Sequence, residues 1–341
     1  MTSSTLEGLE EAIAQTLGIE AAGRIADGPV ESGKQPDHEG RPAATVSVVI
    51  VTYNSASVLP SLLDSLPEGL AGIERFEVIV VDNDSRDGSA ELAEAHPLGP
   101  SVRRMGRNAG YAAAINVAAA TVYQDSHILI LNPDLRLCPG AVAPLVERAA
   151  MPSVGIAVPR NYGQDGKTDP TQRREPSILT AWAEAILGGK LAARLGWGEV
   201  ISEPTRYECA GPVEWATGAA LLVSARARRA VGGWDESFFL YSEEVDYQRR
   251  VRKAGFEIVY EPRSQVIHAG GESGTDPRLF ALMTANKIRY YQRHHGPLQT
   301  ALFRLAIAVG EAARSCRGSI HRAGLRSAVM PLKQASDSSA R

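Results

Sequence analysis

The chain has 341 residues, of which 44% are hydrophobic and 22% are charged, and its formal net charge is −3. A chain of this length holds one large α/β domain or two smaller ones, and a charge this close to neutral argues against binding of nucleic acid through a basic surface. The three cysteines, Cys138, Cys209 and Cys316, form no CxxC pair, which argues against a disulfide framework or a structural zinc site and favours a reducing cytoplasm.

Residues 1–44 differ in composition from the rest of the chain. TLEGLEEAIAQTLGIEAAGRIA has the spacing of one amphipathic helix, and DGPVESGKQPDHEGRP is polar and rich in glycine and proline, as linkers are. The first residues lack the basic start and apolar core of a signal peptide. No run reaches the ~20 apolar residues that cross a bilayer. We therefore expect an N-terminal extension and linker in front of a cytoplasmic domain.

Strands and helices alternate between residues 45 and 140. VSVVIVTYN is a continuous β-branched run, typical of a strand buried on both faces, and FEVIVVDND and HILILNPD repeat the pattern. Helices are predicted over SASVLPSLLDSL, SRDGSAELAEAH and NAGYAAAINVAAATVY. This alternation predicts an α/β fold with a mainly parallel central sheet flanked by helices.

The second half, residues 141–295, is less regular. VGIAVP, VEWATGAALLVS, FEIVYEP and SQVIHAGG are predicted strands, and residues 160–212 are a long irregular stretch. EEVDYQRRVRKAG is a predicted helix closed by Gly255, and another helix covers PRLFALMTANKIRYYQRHH. Residues 296–341 form a tail in which arginines stand beside apolar residues at helical spacing. A packed C-terminal helix and a membrane-surface helix both fit this tail.

Three predicted strands end in polar side chains. Ligands of open parallel sheets bind outside the carboxyl ends of the strands, so a shared polar ligand explains the three ends at least as well as three separate turns. The residues are Thr52, Tyr53, Asn54, Asp82, Asn83, Asp84, Asn132 and Asp134. TYNSAS has no glycine-rich phosphate fingerprint, so nucleotide phosphates require a cation. Asp134 is the best-placed carboxylate for Mg²⁺ or Mn²⁺, and His268, after another apolar run, is the candidate nitrogen ligand.

Three carboxylates are crowded into FFLYSEEVDYQRR, residues 238–250. One interpretation is structural, because acids favour the start of a helix and bases its end. The other is that Glu243 and Glu244 lie at a site where a proton is removed, and that crowding with Asp246 raises a carboxyl pKa. Asp246 and Arg250, four residues apart, are expected to pair along the helix.

Seven stretches occur in an order that resembles the inverting glycosyltransferases of family 2. They are VSVVIVTYN, VIVVDNDSRDGS, NAGYAAAIN, ILNPD, VEWATGAALLV, GGWDESFFLYSEEVDYQRRVRKAG and VIHAGG. The similarity covers roughly residues 46–295 and is strongest to the rhamnosyltransferase-like branch, in which NPD replaces the usual acid–any–acid metal motif. It implies the GT-A fold with a C-terminal helical extension, and a metal-dependent displacement in which a carboxylate deprotonates the acceptor hydroxyl.

The resemblance also implies roles for individual residues. Glu244 stands where the family has its aspartate base, one methylene longer, with Glu243 as the alternative, and Asp134 and His268 are the implied metal ligands. The residues implied at the nucleotide-sugar are Thr52, Tyr53, Asn54, Asp82, Asn83, Arg107, Asn108, Gly110, Asn116 and Asn132. Those implied at the acceptor sugar are Trp215, as a stacking platform, Thr217 and Gly218.

The implied donor is a dTDP- or UDP-sugar, with L-rhamnose as the sugar, and the implied acceptor is a polyprenyl-diphosphate-linked saccharide of cell-wall or surface polysaccharide synthesis. PSILTAWAEAILGGKLAARLGW, residues 176–197, is an apolar insert with Lys190 and Arg194. Contact with the inner face of the plasma membrane, a lid and a homodimer contact all fit this insert. Lys287, Arg289 and Arg293 are candidate ligands of a diphosphate.

Three rival classes explain fewer of these residues. A NAD-dependent dehydrogenase needs the missing glycine-rich fingerprint. A nucleotidyltransferase has no use for the acids of SEEVD. A protein that binds nucleotide-sugar without turnover has no need of Asp134, Glu244 and His268 together.

Overall fold

The first half of the protein is a parallel sheet with helices between its strands. The computed structural model describes residues 45–270 and 276–330, so the predicted N-terminal helix and linker lie outside the described residues. The elements of this half are β1 (Val46–Thr52), α1 (Leu59–Gly69), β2 (Phe76–Asp82), α2 (Ser89–Ala95), β3 (Ser101–Arg104), α3 (Tyr111–Thr121), β4 (His127–Leu131) and β5 (Leu135–Leu137). β1 is buried throughout and pairs in parallel with β2 and β4. The carboxyl ends of these three strands therefore share one edge.

The second half continues the same sheet with strands of both directions. Its elements are α4 (Val142–Ala150), β6 (Val154–Tyr162), β7 (Gln172–Arg173), α5 (Ile178–Leu187), α6 (Gly189–Arg194), β8 (Gly211–Val213), β9 (Trp215–Ala216), β10 (Ala220–Val223), α7 (Ala225–Val231), α8 (Glu243–Lys253) and β11 (Glu257–His268). The strand order is β3-β2-β1-β4-β10-β6-β11-β5, with β10 antiparallel to both neighbours. This sheet with its flanking helices confirms the predicted fold class.

Several predicted elements differ in detail. VEWATGAALLVS was expected to be one strand, but it is divided among β8, β9 and β10. FEIVYEP and SQVIHAGG form the single strand β11, which shifts register against β6 between Glu261 and Gln265. The stretch 160–212 was expected to be irregular, but it contains α5 and α6. β3 was not predicted, because its four residues are mostly exposed and carry no apolar pattern.

Up to residue 330, the last one described, three more α-helices follow: α9 (Pro277–His294), α10 (Pro297–Arg314) and α11 (Ser319–Val329). α10 packs on the insert helix α5, with Phe303 and Ala306 against Ala181 and Tyr291. The described part of the tail, up to residue 330, thus contains two α-helices divided near Gly318, and these helices pack on the domain. None of the described helices combines the length and the apolar character that crossing a bilayer requires. The predicted boundaries at residues 44 and 295 stay predictions.

Helix α8 is held in place from several sides. Gln248 accepts a hydrogen bond from the Ala216 N–H at 2.8 Å and donates one to the Ala216 carbonyl at 2.7 Å. Asp246 accepts from Arg250 at 2.8 Å, as the spacing predicts, and is bonded to His294 of α9 at 3.0 Å. Gly155 of β6 allows α8 to lie directly on the sheet. These contacts fix the start of α8, where the two adjacent glutamates lie.

Replacement of Gly155 by alanine tests this packing. The added Cβ would lie 2.5 Å from Val251 Cγ1 and 2.7 Å from Phe256 Cβ. Overpacking of this kind costs about 1–3 kcal/mol, so we expect Gly155→Ala to lower the free energy of unfolding by that amount in urea denaturation. Gly211→Ala is the matched control, because no atom lies within 4 Å of its Cβ position. Equal stability of the two variants would contradict this packing.

Candidate active site

A cavity of about 690 Å³ opens where the sheet edge meets α5, α8, α9 and α10. It brings together residues that are far apart in the chain, from strand ends, the start of α8 and the C-terminal helices. The predicted site residues that line it are Asn132, Trp215, Thr217, Gly218, Glu243, Glu244 and His268. The cavity therefore joins the predicted base, part of the predicted metal site and the predicted acceptor residues.

The two glutamates reach the cavity through an unusual turn. Tyr241 and Ser242 have φ angles of 69° and 73°, a left-handed conformation that costs a non-glycine residue about 1–3 kcal/mol. Glu243 and Glu244 follow as the first two residues of α8. Gly218 lies against Glu244, since a Cβ there would be 3.3 Å from Glu244 Cβ. Strain of this kind persists where the surrounding structure enforces it, and here it places both carboxylates on the cavity wall.

Burial dominates the ionisation of this pair. Burial and the neighbouring charge of Glu244 raise the pKa of Glu243 well above its ordinary value. Burial also raises the pKa of Glu244, helped by the charge of Glu199 and opposed by backbone N–H groups. One oxygen of each carboxyl is buried without a hydrogen-bond partner among the described residues. Glu243 is only 4% exposed, whereas Glu244 is half-buried, so Glu244 is the more accessible carboxyl of the two.

Asp246 does not belong to this pair, contrary to the expectation that it crowds the glutamates. Burial raises the pKa of Asp246, but the hydrogen bonds from His294 and Arg250 outweigh it, and the net pKa is lowered. Asp246 is therefore an ionised anchor of α8. The acids of the first turn and the bases of the last turn also satisfy the helix dipole, so the structural interpretation holds for Asp246 and Arg250.

Asp134 and His268 are brought together by the sheet. β5 and β11 are antiparallel with His268 opposite Leu135, and His268 Nε2 lies 3.1 Å from Asp134 Oδ2. Burial lowers the pKa of His268, but the hydrogen bond and charge of Asp134 outweigh it and the pKa is raised. His268 lines the main cavity, whereas Asp134 lines a neighbouring cavity of about 620 Å³. The pair thus lies at the boundary between the two.

Tyr111, at the start of α3, links the two groups of acids and was not predicted. Its hydroxyl donates to Asn132 Oδ1 at 3.0 Å. Burial and the charges of Glu243, Glu244 and Asp134 all raise its pKa. The charges of the predicted base and of the predicted metal ligand both act on this hydroxyl, although Asp134 lines the neighbouring cavity.

The predicted nucleotide residues meet at the carboxyl ends of β1 and β2. Thr52 donates to Asp82 at 2.9 Å, and both side chains are buried. Asn83 donates to Asn108 at 2.8 Å and accepts from the Ala109 N–H at 2.9 Å, which holds the loop in front of α3. Three further predicted contacts lie nearer the surface: Tyr53 is half-buried, and Asn54 and Arg107 are exposed.

Two of these predicted residues have structural partners instead. The Asn116 amide accepts from the Trp234 N–H at 2.8 Å and donates to the Trp234 carbonyl and to Glu236. It fastens α3 to residues 234–236 and is occupied there. Gly110 was predicted to admit a ligand, but a Cβ there would lie 2.4 Å from the Phe239 carbonyl oxygen. The absence of a side chain at Gly110 therefore makes room for the Phe239 backbone and not for a ligand.

Some of the residues predicted at the acceptor and the diphosphate line the cavity, and others are bonded to the protein itself. Trp215 is 6% exposed and donates its indole N–H to the Arg174 carbonyl, so little of its ring faces the cavity. Arg289 donates to the Ser237 carbonyl and Arg293 pairs with Asp235, so both hold the loop before α8. Lys287 does line the cavity, where it forms an ion pair with Glu199 at 2.6 Å.

Comparison with solved structures supports the assignment of the fold. The mannosyltransferase PcManGT from Pyrobaculum calidifontis, solved with GDP-Man and Mn²⁺, matches 95% of this chain and 87% of its own, with a TM-score of 0.53 and 16% identity. This likeness concerns the fold. With the strand order described above, it shows a glycosyltransferase fold of the GT-A type, as predicted.

Sequence relatives give the family. The glycosyl transferase family 2 model matches residues 47–204. The N-acetylglucosaminyl-diphospho-decaprenol L-rhamnosyltransferase of Mycobacterium tuberculosis is 33% identical over 265 residues, which are 73% of this chain and 85% of the relative. Rhamnosyltransferase WbbL of Escherichia coli is 22% identical over 65% of this chain and 83% of its own. The chain belongs to glycosyl transferase family 2, and the predicted enzyme class is confirmed.

Substitution of Tyr111 by phenylalanine tests the link between the two groups of acids. The change removes one hydrogen bond worth about 1 kcal/mol and leaves Asn132 without that donor. We expect kcat to fall by about 3- to 30-fold while KM for the donor changes little, measured by release of nucleoside diphosphate. Tyr260→Phe is the control, because its hydroxyl is bonded to Tyr207 and Arg160 outside the cavity. An unchanged kcat in Tyr111→Phe would refute the role of this hydroxyl.

Proposed function

We propose that this protein transfers L-rhamnose, with inversion, from a dTDP- or UDP-sugar to a hydroxyl of a polyprenyl-diphosphate-linked saccharide in cell-wall or surface polysaccharide synthesis. The observation that carries the proposal is the pair of Glu243 and Glu244 on the wall of a cavity that His268, bonded to Asp134 at 3.1 Å, also lines. The name of the Mycobacterium tuberculosis relative supports this choice of sugar and acceptor.

Glu244 acts as the general base in this proposal. Its raised pKa makes it a stronger proton acceptor than an ordinary carboxylate. The acceptor hydroxyl loses its proton to Glu244 as its oxygen bonds to the anomeric carbon, and the bond from that carbon to the diphosphate oxygen breaks. Burial and the charge of Glu244 raise the pKa of Glu243 well above its ordinary value, so in this proposal Glu243 stays neutral and adds no second negative charge next to the incoming oxygen. Thr217 and Gly218 lie beside Glu244 on the acceptor side.

Asp134 and His268 fit a divalent cation. One carboxylate and one imidazole, each nearly one-fifth exposed and 3.1 Å apart, suit Mn²⁺ or Mg²⁺ when diphosphate oxygens and water complete the shell. Among the described residues no cluster of three His, Cys, Asp or Glu ligands occurs, which is consistent with a shell shared with the donor. When bound, the cation neutralises the charge of the leaving diphosphate.

The nucleotide contacts follow from the edge formed by β1 and β2. Asp82, oriented by Thr52 and the Ser85 N–H, is placed to accept from a pyrimidine N–H. Tyr53, Asn54 and Arg107 are the accessible side chains around it. Asn83 and Asn108 contribute to nucleotide binding indirectly, because their hydrogen bonds shape the loop in front of α3. A lipid-linked acceptor further implies that the enzyme works at the inner face of the plasma membrane.

Glu244→Gln is the direct test of the proposed function. Loss of a general base costs about 10²–10⁴-fold in rate, so release of nucleoside diphosphate in the presence of acceptor should fall by that factor. Binding of the donor, measured by calorimetry, should be retained. Glu243→Gln is the matched control and should keep turnover within about 10-fold, since Glu243 is already neutral when Glu244 works. The reverse pattern would assign the base to Glu243.

The pH dependence of kcat/KM gives an independent readout. A base works only when ionised, so activity is lost as the pH falls through its folded-state pKa. Because burial raises the pKa of Glu244 above the ordinary value of 4.5, the acidic limb should lie above pH 4.5. Glu199→Gln removes a charge that contributes to this rise, so its acidic limb should shift to lower pH. An acidic limb at or below the ordinary glutamate pKa would contradict this mechanism.

Binding of Mn²⁺ tests the proposed cation site without any turnover. In the presence of nucleoside diphosphate, Asp134→Asn and His268→Gln should each weaken Mn²⁺ binding by at least about 10-fold, measured by electron paramagnetic resonance. His96→Gln is the control, because His96 forms a comparable pair with Asp64, also at 3.1 Å, outside both cavities. Unchanged Mn²⁺ affinity in both variants would show that the metal does not bind at Asp134 and His268.

A further inference from the structure

Large hydrophobic side chains are exposed mainly on three helices beside the cavity. Elsewhere in the described residues such side chains occur singly, at Phe76, Val117, Met151 and Val329. On the insert and α10 they form a group. Its members are Leu179, Ile186, Leu191, Leu195, Trp197, Leu298, Leu302, Leu305 and Val309. Leu179 and Leu298 are 75% and 74% exposed, so most of each residue's surface is accessible to solvent.

Helix α10 presents an exposed face without charge. Its exposed residues are Pro297, Leu298, Gln299, Ala301, Leu302, Leu305, Val309, Ala312 and Ala313. Leu298, Leu302, Leu305 and Val309 follow one another at helical spacing and form a single stripe. The charged residues of α10 are turned to partners, with Glu311 bonded to His321 at 2.8 Å. A helix that faces only water carries charged and polar residues on its outer side, so this face is suited to an apolar environment.

The insert extends this face and adds positive charge. α5 and α10 touch closely, since a Cβ on Gly310 would lie 3.1 Å from Ala185 Cα. α6 and the residue after it then present Lys190 and Arg194 next to the exposed Leu191 and Leu195. The exposed residues of α5, α6 and the following turn up to Trp197 include no carboxylate. Glu184 of α5 is turned inward towards Lys287. The surface is thus apolar with cations and without anions.

We propose that these exposed residues, called the α5–α6–α10 face, dock the enzyme on an anionic lipid bilayer. Apolar side chains enter the acyl boundary, and Lys190 and Arg194 meet anionic headgroups, as in interfacial helices. The inner sides of the same helices line the cavity, through Ala181 of α5 and Ala306 and Ile307 of α10. The inference rests on the proposed function only in that a lipid-linked acceptor lies in the bilayer so reached.

Vesicle flotation with the full-length protein tests this docking. We expect binding to vesicles of phosphatidylcholine with phosphatidylglycerol, and weaker binding to phosphatidylcholine alone. Leu302→Glu combined with Leu305→Glu should reduce binding to anionic vesicles by at least about 10-fold. Lys190→Glu combined with Arg194→Glu should also reduce it and abolish its salt dependence. Met151→Glu, at an exposed apolar residue outside the face, is the control and should bind as the unmodified protein does.

Several outcomes would overturn the docking proposal. One is that the unmodified protein stays in the soluble fraction with anionic vesicles, and another is that the Leu302→Glu/Leu305→Glu variant binds equally well. A dimer in the absence of lipid that this variant dissociates, without vesicle binding by the unmodified protein, would assign the face to a second copy of the chain. The vesicles contain no acceptor, so binding is independent of turnover. Turnover of a water-soluble short-chain acceptor should be unchanged in the Leu302→Glu/Leu305→Glu variant. If the unmodified protein does not turn over this acceptor, that result would count against the proposed function alone.

Discussion

The site depends on keeping two adjacent carboxylates out of water at the start of one helix. A helix N-terminus normally favours the ionised form of an acid, but burial here outweighs it for both Glu243 and Glu244. Burial of two adjacent carboxyl groups is unfavourable, and it persists here because the surrounding chain holds the start of α8 in place. The left-handed turn before α8, the Gln248–Ala216 hydrogen bonds and the Asp246 anchor each restrict α8 in a different direction.

The topology of the sheet joins the proposed cation site to the proposed base. β5 and β11 are far apart in the chain, yet their antiparallel pairing sets Asp134 beside His268. α3 follows β3 and carries Tyr111 across to Asn132, which follows β4. The loop before α8 is fastened to α3 by the Tyr111 N–H, which donates to the Phe239 carbonyl at 2.9 Å. These hydrogen bonds therefore connect the first half of the sheet, through α3, to the loop that precedes Glu243 and Glu244.

The sequence predicts most of the first half of the fold, because strands buried on both faces leave continuous apolar runs such as β1. It does not predict β3, whose side chains are largely exposed, or the division of the tail into α10 and α11. Spacing predicts the Asp246–Arg250 pair but not His294, a third partner 48 residues away. Likewise, the polar character of Asn116 indicates a ligand contact, whereas only the fold shows that Trp234 occupies its amide. Local patterns specify elements, and distant partners decide what a polar side chain does.

The cavity wall formed by α5 and α10 comes from stretches of chain that hold neither the proposed base, Glu244, nor the proposed cation ligands, Asp134 and His268. Insertions or substitutions within residues 176–197 can therefore reshape the acceptor side and leave the bond-forming centre intact. In such a scaffold the acceptor specificity can change during evolution through one peripheral segment, while the residues proposed for the chemical step stay the same.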